Sequence, residues 1–213
     1  TVDNTITKIT TSGVVSRFAT VGENPAAMAF DASGNLFVAN SDDGTISKVT
    51  PQGVATVFAT VGDRPTSLVF DKSGNLYSAD SLAGNISKIT PTGEVSIFAA
   101  LASNPVALVI DASGNLYSAN GRDNTVAKIT STGEISILAR LPIAASRMVS
   151  DIYGNLYVFS TVETSIYKIT PSGQLSVFMT LADLVTDLVI DSKNNFYLAN
   201  STNGTVSKIT SAG

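Results

Sequence analysis

Apolar residues in this chain come in short runs separated by clusters of Gly, Asn, Asp, Ser and Pro, and residues 65–104 show the pattern. Pro65-Thr-Ser-Leu-Val-Phe70 is an apolar stretch closed by Asp71. Asp71-Lys-Ser-Gly-Asn75 then carries turn chemistry, because the carboxylate caps loop amides and Gly permits positive φ. Leu76–Ala79 reads as a second strand, Ser81–Asn85 as a turn and Ile86–Thr90 as a third strand. Pro91-Thr-Gly93 makes another turn, and Glu94–Phe98 is the fourth strand. Four strands, a to d, joined by Gly-centred turns predict an antiparallel meander. No segment shows sustained helical periodicity.

The same phrases return at a fixed step. Asp-x-x-Gly-Asn-Leu-Tyr starts at Asp31 (with Phe37 in place of Tyr), Asp71, Asp111 and Asp151, and recurs as Asp-Ser-Lys-Asn-Asn-Phe-Tyr at Asp191. Ile-Ser-Lys-Ile-Thr and its variants place lysines at 8, 48, 88, 128, 168 and 208. A period of this size marks an array of one supersecondary unit. One four-stranded sheet cannot hide both of its apolar faces, whereas sheets stacked side by side cover each other, which is the propeller solution. The expected fold is an all-β propeller occupying 1–213 as a single domain, with five 40-residue periods and a 13-residue overhang.

The ends set the blade count. The chain opens with a c-type strand (Thr5–Thr10) and a d-type strand (Val14–Ala19). It closes with a, b and c strands at 186–190, 196–199 and 205–210. Pairing of the first d strand with the last c strand would close a ring of five blades. One c strand is then left over, to be displaced at one end, to pair with another molecule, or to belong to a longer array.

Composition narrows the function classes. Charged residues are only 14% and the net charge is −4, with six of the eight lysines spread one per period. That leaves no basic patch for nucleic acid. No apolar run is long enough for a membrane span. A chain rich in Ser, Thr, Asn and Gly and low in charge suits an extracellular or periplasmic bacterial protein. Cysteine and histidine are both absent, which removes thiolate and imidazole chemistry.

The run Pro65-Thr-Ser-Leu-Val-Phe-Asp-Lys-Ser-Gly-Asn-Leu-Tyr-Ser-Ala-Asp80, with Ile86-Ser-Lys-Ile-Thr-Pro91, resembles the NHL-repeat and streptogramin-lyase group of propellers. The likeness covers essentially the whole chain and implies the propeller fold. Members of that group include lyases, lactonases, peptide-processing enzymes and interaction modules, usually with six or seven blades. The resemblance implies that the streptogramin lyases need histidines and a divalent metal, and that the peptide-amidating lyases use histidine-bound zinc. Neither set can be carried onto a chain without histidine. The gluconolactonase-like branch holds its metal with carboxylates and an amide, a role that Asp187, Asn24 and Asn104 could fill.

Among the residues themselves, the Asp-x-x-Gly-Asn loops offer oxygens to a cation such as calcium, but one carboxylate per loop is better explained by an Asx turn. No cofactor is expected. The repeated lysines read as part of the blade, their stems on apolar surface and their heads near carboxylates, rather than as an anion-binding ring.

Departures from the repeat are more informative. Tyr153, Phe159 and Tyr167 are off-register aromatics in one unit, 141–180, which also replaces Asn-Pro with Ala144-Ala145. Arg147 and Asp187 stand where other units carry Ala27, Ser67 and Ala107, and are expected to pair beside a central channel as a clamp or as a ligand anchor. The d–a and b–c loops should share one polar end of the fold. The candidate ligand-binding residues are Arg147, Asp187, Asn24, Arg64, Asn104, Tyr153 and Tyr167. The expected role is a non-catalytic binding or scaffold module for a protein, carbohydrate or other small ligand. The alternatives are a metal-dependent lactonase- or lyase-like enzyme with oxygen ligands in the channel, and a structural subunit forming homo-oligomers through its spare terminal strand.

Overall fold

The computed structural model describes residues 3–210, and among them every helix or strand is a β-strand. β1 (Thr5–Ile9) and β2 (Val15–Thr20) form a hairpin. The first blade is β3 (Pro25–Phe30), β4 (Leu36–Asn40), β5 (Thr45–Val49) and β6 (Ala55–Thr60). The second is β7 (Pro65–Phe70), β8 (Leu76–Asp80), β9 (Asn85–Ile89) and β10 (Val95–Ala100). The third is β11 (Pro105–Ile110), β12 (Leu116–Asn120), β13 (Thr125–Ile129) and β14 (Ile135–Arg140). The fourth is β15 (Arg147–Ser150), β16 (Leu156–Phe159), β17 (Ser165–Ile169) and β18 (Leu175–Thr180). The fifth has three strands, β19 (Val185–Ile190), β20 (Phe196–Asn200) and β21 (Thr205–Ile209). Strands lie within one or two residues of the positions read from the repeat. The fold is an all-β propeller of five blades, each a meander of antiparallel strands.

One expectation is corrected. The repeat predicts β2 at the outer edge of β21, but its hydrogen-bonded partner is β1, and among the described strands β21 pairs with β20 alone. The first c strand therefore uses its own d strand. A hairpin closed by the Thr10–Val14 turn costs far less loop entropy than a pairing across the whole chain.

The chain forms two compact units, the first ending at Pro105 and the second beginning at Val106. Both are built by the same contact between sheets. Successive side chains of a strand point to opposite faces, so each blade has a leading face and a trailing face. In the first unit, Phe37, Ala39 and Ile46 on the leading face of the first blade meet Leu68, Leu76 and Ile89 on the trailing face of the second. Ile6 and Ala19 of the hairpin meet Leu36, Val38 and Val49 in the same way. In the second unit, Tyr117, Ala119 and Val126 of the third blade meet Met148, Leu156 and Ile169 of the fourth. Tyr157, Phe159 and Ile166 then meet Leu188, Phe196 and Leu198 of the fifth. Each buried Val, Leu, Ile, Met or Phe among them contributes about 1.5–3 kcal/mol by leaving water.

Turn glycines set the spacing at the outer rim. Gly53, in the turn between β5 and β6, has φ +84°, and a Cβ there would lie 2.5 Å from the carbonyl oxygen of Phe18 in β2. Gly34, in the turn between β3 and β4, also has positive φ, but its nearest neighbour would be Pro51 Cγ at 3.9 Å. Gly34→Ala should therefore cost only the backbone penalty, about 1 kcal/mol. Gly53→Ala adds a clash between hairpin and blade and should cost roughly 3 kcal/mol. Denaturant unfolding of the two variants checks this; equal losses would mean the hairpin does not press on that turn.

Candidate functional site

Loops between strands d and a lie beside the b–c loop of their own blade. The Ser41 and Asp42 amides donate to the carbonyls of Asn24 and Glu23, and the Ser81 and Leu82 amides repeat this with Arg64 and Asp63. Both loop sets thus share one end of each blade. Asn24 has φ +53° and is tied in place, its amide donating to Asn4 Oδ1 and its Nδ2 to Asp42 Oδ1 at 3.1 Å. Arg64 has φ +61°, an uncommon backbone state for an arginine. Its carbonyl is fixed by both the amide and the hydroxyl of Ser81, leaving the guanidinium exposed. Ser41, Asp42, Asp43, Gly44, Asp63, Arg64 and Leu82 line an open groove of about 370 Å³. Asn104 is half-buried in the third d–a loop, beside buried Ser103.

In the second unit, Arg147 donates from Nη1 to the carbonyl of Ser146, and Asp187 Oδ1 accepts from the Leu188 amide. Each side chain is engaged within its own blade. Replacing Asn-Pro by Ala144-Ala145 shortens the inner strand to Arg147–Ser150, and Ser146 takes over the bonding to the b–c loop through Thr161. Tyr167 is half-buried against the cluster between the third and fourth blades. Tyr153 stands on the a–b turn, at the other end of strand a from Arg147, and is 70% exposed. The seven candidates are divided between the two units. Three belong to loops of the first unit, and the other four are spread over the second.

One residue at this end escaped the sequence reading. Asp80 is wholly buried, with Oδ1 accepting from Ser78 Oγ at 2.7 Å and Oδ2 from Ser87 Oγ at 2.5 Å and the Gly62 amide at 3.3 Å. Asn40, Asn120 and Asn200 hold the same place in other blades and donate to hydroxyls of strand c. Burial pushes the Asp80 carboxyl up from its ordinary value, and the two serine hydroxyls only partly oppose this. Its signal was a single acid in a column that otherwise reads Asn40, Asn120, Ser160 and Asn200.

The a–b turns bind their own backbone. Asp71 Oδ1 accepts from the Ser73 and Asn75 amides, while Oδ2 accepts from Asn75 Nδ2 and Tyr77 OH. Burial alone would raise this carboxyl, but the bonds from Asn75 and Ser73 outweigh it and hold it low. At Asp191 the Asn195 side chain leads in bringing it down to about 2. Tyr77 is pushed up to about 12 by burial and then by the Asp71 charge. Among the described residues no group of three or more acidic side chains is arranged to hold a metal.

The lysine column has a local partner too. Lys48, Lys88, Lys128, Lys168 and Lys208 each place Nζ over the in-register aromatic of strand b, at 5.3–5.8 Å from the ring centroid. Ring faces attract a cation at that range, so the repeated lysine belongs to the blade.

The model of the virginiamycin B lyase family matches residues 1–213. This chain belongs to that family. No curated protein matches it. Virginiamycin B lyase from Staphylococcus aureus is similar in structure with a TM-score of 0.81 and 15% identity, covering 98% of this chain and 78% of that one. A catalytically inactive histidine-to-alanine variant of that enzyme, solved with quinupristin, scores 0.80 at 15% identity, with the same coverage. A chain of a nidogen/laminin complex scores 0.79 at 17% identity, covering 93% of this chain and 80% of that one. A candidate gluconolactonase scores 0.76 at 16% identity, with 98% and 81% coverage. Likeness at these identities is likeness of fold. This chain has no histidine in its 213 residues.

Asp80→Asn tests the buried acid. Below the ordinary carboxyl value of 3.8 the group is protonated whether the chain is folded or unfolded, and it costs nothing. As the pH rises from there through the raised folded value, the wild type loses stability and the amide does not. The variant should be more stable by about 1 kcal/mol at neutral pH, with the gap closing in acid. Thermal melts at the two pH values decide it, and a variant that is less stable at neutral pH would refute the assignment.

Proposed function

We propose that this chain is a non-catalytic binding or scaffold module of the virginiamycin B lyase family, working outside the cytoplasm and presenting its d–a and b–c loops to a protein or small ligand. One observation carries the reading. A histidine-to-alanine variant of a lyase with this fold is catalytically inactive, and this chain has no histidine at all. The loop end supports the same reading. Its groove in the first unit sets three carboxylates and one guanidinium around exposed Leu82, a polar surface that differs from blade to blade as recognition loops do. Likeness to a chain of the nidogen/laminin complex adds that the fold also occurs in a protein–protein complex.

Incubation with quinupristin and with gluconolactone, each with and without magnesium or calcium, tests this by chromatography of the products. No turnover above the buffer blank is expected. Cation-dependent turnover of either substrate would replace the binding reading with the enzymatic one.

A second reading, assembly through the terminal strand, is favoured by the state of β21. Val206 is 71% exposed, whereas Ile46, Ile86 and Val126 at the same place are 0% exposed and Ile166 is 1%. A c strand with an open edge and an uncovered apolar face invites another strand. Sedimentation should show concentration-dependent association that Val206→Lys removes. A monomer at every concentration would eliminate this reading.

A further inference from the structure

The repeat supplies its own control for a groove on the opposite end of the blades from the recognition loops. Between the a–b turns of the first and second blades lies a crevice of about 250 Å³. There the ring of Phe70, the last residue of β7, stands against Phe37 edge to face, with centroids 5.1 Å apart. The corresponding crevice between the third and fourth blades has about 480 Å³. The residue equivalent to Phe70 is Ser150, so the phenyl plug is missing. Tyr117, equivalent to Phe37, is 9% exposed against 3% for its counterpart. The rim changes in the same unit. Where the first blade has Ala32-Ser33 and the third Ala112-Ser113, the fourth has Ile152-Tyr153, 67% and 70% exposed. A plug has been deleted and the lip made apolar, and the enlarged volume falls in the range of small-ligand pockets.

We propose that this groove binds a phenyl-sized aromatic ring, uncharged or cationic, carried by a small molecule. Phe70 in the narrower crevice shows what the vacant space accepts: a ring edge-on to the aromatic of strand b, above the leucine that opens strand b of the following blade (Leu76 there, Leu156 here). Tyr153 and Ile152 give that ring a second apolar wall at the mouth. The charges select against acids. Asp111 and Asp151 both line the groove, and the bonds that Asn115 and Ser113 make to Asp111 outweigh its burial and keep it ionised. Lys128 lies over the face of Tyr117, 5.8 Å from the ring centroid. The site stands apart from the loop-end surface and does not depend on the reading given to it.

Phenethylamine and phenylacetate are the probes, followed by backbone amide shifts in solution. Phenethylamine should give saturable shifts centred on Tyr117, Tyr153 and Gly154, and phenylacetate should bind at least about tenfold more weakly. Ser150→Phe restores the repeat and should abolish the saturable shifts while leaving the melting temperature equal or higher. No saturable shift in the wild type, or unchanged binding in Ser150→Phe, would overturn the site. Should Ser150→Phe fold poorly, Tyr153→Ser decides: several-fold weaker binding upholds the groove, and undiminished binding overturns it.

Discussion

Everything in this molecule depends on the covering of one blade's leading face by the trailing face of the next. A four-stranded sheet with Leu76 and Ile89 on one side and Tyr77, Ala79 and Ile86 on the other is apolar on both. It has no face to give to water, so a lone blade would not be stable and the chain must repeat itself. The aromatic of strand b is central to each contact. Phe37 meets Phe58 and Phe70, and Tyr157 meets Phe178 and Phe196, all as edge-on pairs near 5 Å.

The two phrases by which the repeat announces itself are two halves of one device around that ring. Asp71 caps its turn and accepts the hydroxyl of Tyr77, and Lys88 lies over the face of the same tyrosine. Where strand b offers Phe37 the hydroxyl bond is lost, but Lys48 still covers the ring. Aspartate, aromatic and lysine are therefore held at constant spacing by contact, not by a shared ligand. A column kept for that reason carries no information about activity.

Legibility follows the same division. Strand positions, turns and blade type could be read from the sequence because each is fixed by local chemistry repeated five times. The seam was misread because adjacent c and d strands close a hairpin that chain order alone does not rank above a long-range pairing. Arg147 and Asp187 were matched by charge and register, and each makes a hydrogen bond to the backbone of its own blade. Asp80 fell between the strand read as ending at Ala79 and the turn read as starting at Ser81, although Asn40, Asn120 and Asn200 mark it as an exception.

Function in such an array has to be sought in single-blade departures, and the departures here differ in physical kind. Asp80 alters a buried polar column and changes how stability responds to pH. Arg64 and its acidic neighbours alter the loop end, where the backbone is already tied down and side chains are free to vary. Ser150, with Ile152 and Tyr153, alters packing: it removes the one side chain whose counterpart fills the space between turns, and the rest of the contact survives because Leu156 and Ile169 remain buried below it. A blade can lose its plug without losing its neighbour. That tolerance allows a scaffold built wholly from mutual coverage to widen a crevice at one position while its counterpart keeps its plug.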